Sequence, residues 1–142
     1  MSNTPISEME VRERNRFVVE QYFRLQTEKN LDAWIELWDE AGEFRIPFAP
    51  AGFPDRIQGK ATLGPLYKEL FQGYGPLTYR NLQIEPLLDP NRFVATWHTH
   101  IELLNGGVYD NDLIALFFLR DGKIVRYDEY FDPIRFQAVV GS

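Results

Sequence analysis

Cysteine is absent from the 142-residue chain. That excludes a disulfide framework, a thiolate nucleophile and a Cys-type zinc site, and it removes any need for an oxidising compartment. Basic charge is in deficit: 15 Lys and Arg stand against 21 Asp and Glu, a formal charge of −6. Such a balance offers no footprint for a phosphate backbone, so nucleic acid is not an expected partner. Long apolar runs are missing as well. The longest, Leu113 to Leu119, has seven residues, against roughly 20 for a bilayer span. The first residues, Met1-Ser2-Asn3-Thr4-Pro5, lack the basic-then-apolar layout of a secretory signal. A cytoplasmic protein without membrane contact is expected. No Gly-x-Gly-x-x-Gly, phosphate loop or Gly-x-Ser-x-Gly elbow occurs, so nucleotide and serine-hydrolase chemistry lack support.

Aromatic residues are abundant. Three Trp, seven Tyr and eleven Phe make up 15% of a chain that is 44% hydrophobic, ample to build a core, and one domain over residues 1–142 is expected. Residues 7–28 carry a helical period, with Ser7 and Glu10 forming a capping-box signature and Val11, Val18, Tyr22 and Leu25 on one stripe. Asn30 caps a second helix in which Leu31, Trp34, Ile35 and Trp38 share a face. Glu43–Pro47 reads as a short strand, and Phe48–Pro54, with two further prolines and a glycine, as an ordered loop. A third helix fits Ala61–Gln72. From Leu77 the period becomes two, in the runs Thr78–Leu88, Arg92–Leu104, Val108–Leu119 and Lys123–Phe131. Asp89-Pro90-Asn91, Asn105-Gly106-Gly107 and Asp121-Gly122 separate them with hairpin-turn chemistry. Three helices on a strongly curved antiparallel sheet, an α+β fold, follow from this order.

Alternation assigns faces. Val125, Tyr127, Glu129 and Phe131 share one, where Glu129 is the odd carboxylate. Turned inward, Glu129 is desolvated and its pKa rises toward a value useful for proton transfer. Turned outward, it pairs with Arg126, Arg135 or another base. His98 and His100, the only two histidines, share a face with Val94, Thr96, Glu102 and Leu104. They offer acid and base groups, metal ligands or quiet hydrogen bonds. With Glu129 they would complete a two-His-one-carboxylate set. His-x-His recurs by chance, however, and no metal is expected. Asp112, beside Ile114, Leu116 and Phe118, is expected at a pocket mouth, and Asp110 in solvent.

The order helix, helix, short strand, loop, helix, curved meander resembles the NTF2-like superfamily. Val108-Tyr109-Asp110-Asn111-Asp112, Phe118–Ile124 and Asp128-Glu129-Tyr130-Phe131-Asp132-Pro133 resemble the SnoaL-like branch, in particular the phenazine-biosynthesis A/B proteins and the limonene-epoxide hydrolases. The resemblance implies a cone around an apolar pocket, a small cyclic or polyketide-like ligand, no cofactor and a homodimer. It matches Glu129 to a glutamate acid of the phenazine proteins and to a catalytic aspartate of the epoxide hydrolases. The histidine of the former is Leu66 here, and the Arg-x-Asp of the latter is His98-x-His100, so neither mechanism carries over whole. Tyr22, in Glu20-Gln21-Tyr22-Phe23, matches the hydrogen-bonding tyrosine of ketosteroid isomerases, whose two acidic positions here are Ile46 and Ile114.

Glu129, His98 and His100 are therefore the expected catalytic residues. Tyr22, Trp34, Trp38, Phe48, Phe53, Tyr67, Asp112 and Tyr127 are the expected ligand-binding ones, with Phe44, Phe71, Trp97 and Phe118 as further aromatic candidates. The expected function is acid–base isomerisation, cyclisation, hydration or hydrolysis of an apolar cyclic molecule. Two rivals remain: a non-catalytic ligand-binding protein, and a dimerisation module using Phe93 and Trp97 on an exposed sheet face.

Overall fold

Ser7 accepts a hydrogen bond from Glu10 N–H at 3.1 Å while the Glu10 carboxylate reaches back to Ser7 N–H, and this reciprocal cap starts α1, Glu8–Thr27. In this computed structural model, residues 6–140 are described. Lys29, in the left-handed region at φ 58°, ends that helix, and Asn30 caps the short α2, Leu31–Ile35. Trp38 does not extend α2 as its helical spacing suggested. It opens β1, Trp38–Arg45. The turn is possible because residue 42 is glycine: a Cβ there would sit 2.8 Å from the Trp38 ring.

The elements that follow are β2 (Arg56–Gln58), α3 (Lys60–Phe71), β3 (Tyr74–Pro86), β4 (Arg92–Leu103), β5 (Val108–Arg120), β6 (Lys123–Phe131) and α4 (Pro133–Val140). They form an NTF2-like α+β fold around one six-stranded sheet in the order β2-β1-β6-β5-β4-β3. Two expectations are corrected. The described residues hold four helices, not three, because Asp132 accepts from Ile134 N–H at 2.9 Å and Pro133 supplies a preset first position for α4. The sheet is mixed, not purely antiparallel: β1 lies parallel to β6, with Phe44 opposite Tyr127 and Arg45 opposite Asp128.

The inner face of the sheet is aromatic. Tyr22 and Phe23 of α1 descend on it, with the Tyr22 ring 4.9 Å from Tyr127 and 5.1 Å from Phe117. Trp34 stacks on Tyr67 at 4.4 Å and lies 5.8 Å from Trp38. Such pairs add to the transfer free energy of the buried rings. This half of the cone is solid. The hollow lies toward the other end.

Candidate active site

Between α3, the β1–β2 loop, α4 and the inner sheet face lies a cavity of about 340 Å³. Its wall is mainly aromatic and aliphatic: Phe44, Ile57, Leu66, Tyr67, Leu70, Phe71, Trp97, Ile101, Leu113 and Phe131 contribute side chains. Phe53 and Phe136 meet edge to face at the rim, with ring centres 5.0 Å apart. Polar atoms on the wall come from Gln26, Tyr74, Tyr79, Thr99, Tyr109 and Glu129. Several are already engaged: Tyr79 Oη with Gln26, and Trp97 Nε1 with Thr99 Oγ1 at 2.9 Å. No Lys, Arg or His lines the cavity among the described residues.

Glu129 is the sole acidic residue of that wall. Alternation along β6 sets Tyr127, Glu129 and Phe131 on the inner face, and Tyr127 Oη donates to Glu129 Oε1 at 2.7 Å. Glu129 is half-buried, its carboxyl set among the apolar side chains of the cavity wall. Burial therefore dominates. It pushes the carboxyl from 4.5 up to about 7, with the Tyr127 hydroxyl pulling the other way. Burial also raises the hydroxyls of Tyr22, Tyr67, Tyr79 and Tyr127 well above 10.0, so each stays a protonated donor. A carboxyl balanced between its two forms near neutral pH, in an apolar hollow, can give a proton to a ligand or take one.

Residues 19–127 match the sequence profile of the SnoaL-like domain. The chain belongs to the SnoaL-like family. Among its relatives, the uncharacterized protein YesE of Bacillus subtilis is 31% identical over 129 residues, covering 86% of this chain and 84% of YesE. The phenazine biosynthesis protein PhzB of Pseudomonas fluorescens is 29% identical, over 93% of this chain and 83% of PhzB. A crystal structure of a phenazine biosynthesis-related protein from Pseudomonas aeruginosa superimposes with a TM-score of 0.82 at 25% identity, over 94% and 89% of the two chains.

In this SnoaL-like cone the residues expected at the site fall into several places. Glu129, Tyr67 and Phe53 line the cavity, as do Phe44, Phe71 and Trp97. Tyr127 lies in the wall behind Glu129. Tyr22, Trp34 and Trp38 are packed in the solid half instead of the hollow, each at 1% exposure or less. Among the described residues the Tyr22 hydroxyl and both indole N–H groups have no hydrogen-bond partner, and buried polar groups left unpaired cost stability. Phe48 is 62% exposed and rests on Tyr130 outside the cavity, because the loop turns it outward.

His98, His100 and Asp112 are corrected outright, since they lie on the outer face of the sheet. They share a face as alternation requires, but Phe93, Ala95, Trp97, Thr99 and Ile101 form the more apolar alternate set and take the core side of β4. Phe93 and Trp97 are thereby buried and cannot supply an exposed interface. Phe118 is outside too, between the Arg92 and Arg126 guanidinium groups. His98 Nε2 lies 2.9 Å from Asp110 Oδ1, and His98 Nδ1 lies 2.9 Å from Asp112 Oδ1. Ionised carboxylates only accept, so this arrangement favours the doubly protonated imidazolium form of His98, in which both ring nitrogens donate. Asp110 and Asp112 raise its pKa accordingly. Asp110 also accepts from His100 Nδ1 at 2.8 Å, which with His98 lowers its own pKa. The candidate acid is left without an imidazole partner.

The sequence alone does not single out Gln26, Tyr74, Tyr79, Thr99, Tyr109 and Phe136 as lining residues. Thr99 was legible as the inward neighbour of Trp97 by alternation. Phe136 was legible from the Asp132-Pro133 helix start. Membrane insertion by a helix has no candidate, as no described helix is long and apolar enough to cross a bilayer.

Proposed function

We propose that the cavity is an active site for small, uncharged, ring-containing molecules, in which Glu129 moves a proton to and from the substrate. Isomerisation or cyclisation fits this chemistry best. A single carboxylate can take a proton from carbon next to a carbonyl and return it elsewhere, so that bonds and charges balance without a cofactor. Hydration or hydrolysis asks for a second group to activate water, and the imidazoles once expected to help stand on the other face of the sheet. Tyr127 fixes the carboxyl, while the tyrosine hydroxyls of the wall offer donors to a developing enolate.

The observation that carries this reading is the carboxyl itself, on the wall of an apolar hollow and in no ion pair among the described residues, where burial pushes its pKa up to about 7. A mere binding protein has no use for an acid poised in this way. A dimerisation module has no use for the hollow. The family relationship to PhzB, named for phenazine biosynthesis, agrees with a small-molecule role.

The test uses 2-tetralone in deuterated buffer, with hydrogen–deuterium exchange next to its carbonyl followed by NMR. Wild-type protein is expected to accelerate exchange over buffer, and Glu129→Gln to remove the acceleration. Background-rate exchange by wild-type protein that binds the ketone would refute the proposal.

A further inference from the structure

The chain leaves β6 at Phe131 and turns at Asp132 into α4, and that turn is gripped from within the sheet. Asn111 on β5, only 1% exposed, donates from Nδ2 to the Asp132 carbonyl at 3.0 Å. Its Oδ1 accepts from Asp132 N–H at 3.4 Å and from Asp112 N–H at 3.0 Å. Nδ2 also donates to Tyr109 Oη at 2.7 Å. Burying an amide is tolerable only when its hydrogen bonds are made, and two of these hold the main chain of a single residue. Asp132 in turn caps α4 through its bond from Ile134 N–H.

The product of this grip is the position of Phe136, one turn into α4. Its ring lies 5.0 Å from Phe53, 5.4 Å from Phe131 and 5.8 Å from Tyr109, all four belonging to the cavity wall. Phe53 arrives from a chain segment more than half the protein away, so the rim closes only when α4 is in place. The cavity of about 340 Å³, open to one side, is near the lower end of the roughly 300–1,000 Å³ of small-molecule sites.

We infer that Phe136, fixed by the hold of Asn111 on Asp132, is the specificity determinant that restricts the cavity to one- and two-ring ligands. Phe136 touches the ligand space, whereas Asn111 is a positioning residue acting through it. A rigid third ring has to displace the Phe53–Phe136 pair. The inference rests on the reading of the cavity as a ligand site, but not on the chemistry assigned to Glu129.

Two uncharged probes test it, 2-naphthol and its three-ring homologue 2-anthrol, titrated by fluorescence against the 142-residue chain. Wild-type protein is expected to prefer 2-naphthol. Phe136→Ala should raise the 2-anthrol to 2-naphthol affinity ratio about tenfold, a difference of about 1.4 kcal/mol. Asn111→Ser should move the ratio the same way by less, and the double variant no further than Phe136→Ala alone, as expected of two residues acting through one element. A loss of fold stability by itself lowers both affinities and leaves their ratio where it was. Should Asn111→Ser fail to fold, Asn111→Asp, which keeps the acceptor for Asp132 N–H and loses the donor to its carbonyl, takes its place and should move the ratio the same way. An unchanged ratio in Phe136→Ala overturns the inference. Glu129→Gln should leave the ratio unaltered while abolishing proton exchange, which separates the two claims, and failure of wild-type protein to bind either probe overturns both.

Discussion

Replacing Glu129 with Gln should stabilise the protein at alkaline pH, and the size of the gain follows from its surroundings. Glutamine copies the shape of the protonated acid and keeps an oxygen for the Tyr127 hydroxyl, 2.7 Å away in the wild type. What it removes is the charge that burial resists. A raised carboxyl pKa means that the native state holds its proton over a range where the unfolded chain has released it. Stability from this source is complete below the unfolded value of 4.5 and is lost as pH rises through about 7. At about 1.4 kcal/mol per pH unit, the interval from 4.5 to about 7 corresponds to about 3 kcal/mol. Urea unfolding at intervals between about pH 5 and pH 9 measures it. The two proteins should be nearly equal at the acidic end, with wild type weaker by about 3 kcal/mol at the alkaline end. Gain of stability combined with loss of proton exchange marks a group held in place for chemistry. Parallel pH curves would refute the reasoning, because they would mean that the folded-state carboxyl ionises as it does in the unfolded chain.

Three further outcomes are expected. Tyr127→Phe deletes the hydrogen bond that favours the ionised form, so the Glu129 titration midpoint, read by carboxyl carbon NMR, should move upward from about 7; a fall would contradict the assignment. His98→Asn should leave ketone exchange untouched. The imidazolium, with its raised pKa, contributes stability below 6.5 that is lost as pH rises through the higher folded value. Because the pair is at the surface, denaturation midpoints should report less than about 1 kcal/mol. Trp34→Ala empties a fully buried site stacked on Tyr67 and should cost about 3–5 kcal/mol by chemical denaturation.

Much of the fold was legible because local signals and the global packing agree. The Ser7–Glu10 cap, the three turn sequences and the period-two runs each have a single economical reading, and β6 carries the limits Lys123–Phe131 that the sequence suggests. Trp38 misled because one residue can satisfy both a helical stripe and a strand, and only the close approach at Gly42 decides between them. The parallel β1–β6 pairing leaves no local trace, since its partners are some 80 positions apart. Glu129 was legible as a carboxylate out of place among Val125, Tyr127 and Phe131. The histidines were not, because alternation states which residues share a face without stating which face is inside. That choice belongs to the whole strand, and on β4 the ring and methyl area of Phe93, Ala95, Trp97 and Ile101 outweighs Val94.

The position of β6 between β1 and β5 also governs when the hollow can be walled in during synthesis. Until that strand leaves the ribosome, β1 has only the three residues of β2 beside it, and the hydrophobic interior stays open along the seam. Glu129 emerges on the very strand that closes this seam. The hollow is finished only by α4, which follows β6 in the chain and brings Phe136 back to Phe53, so the contact that closes the rim comes after the acid-bearing strand and at the slow pace set by distant pairings.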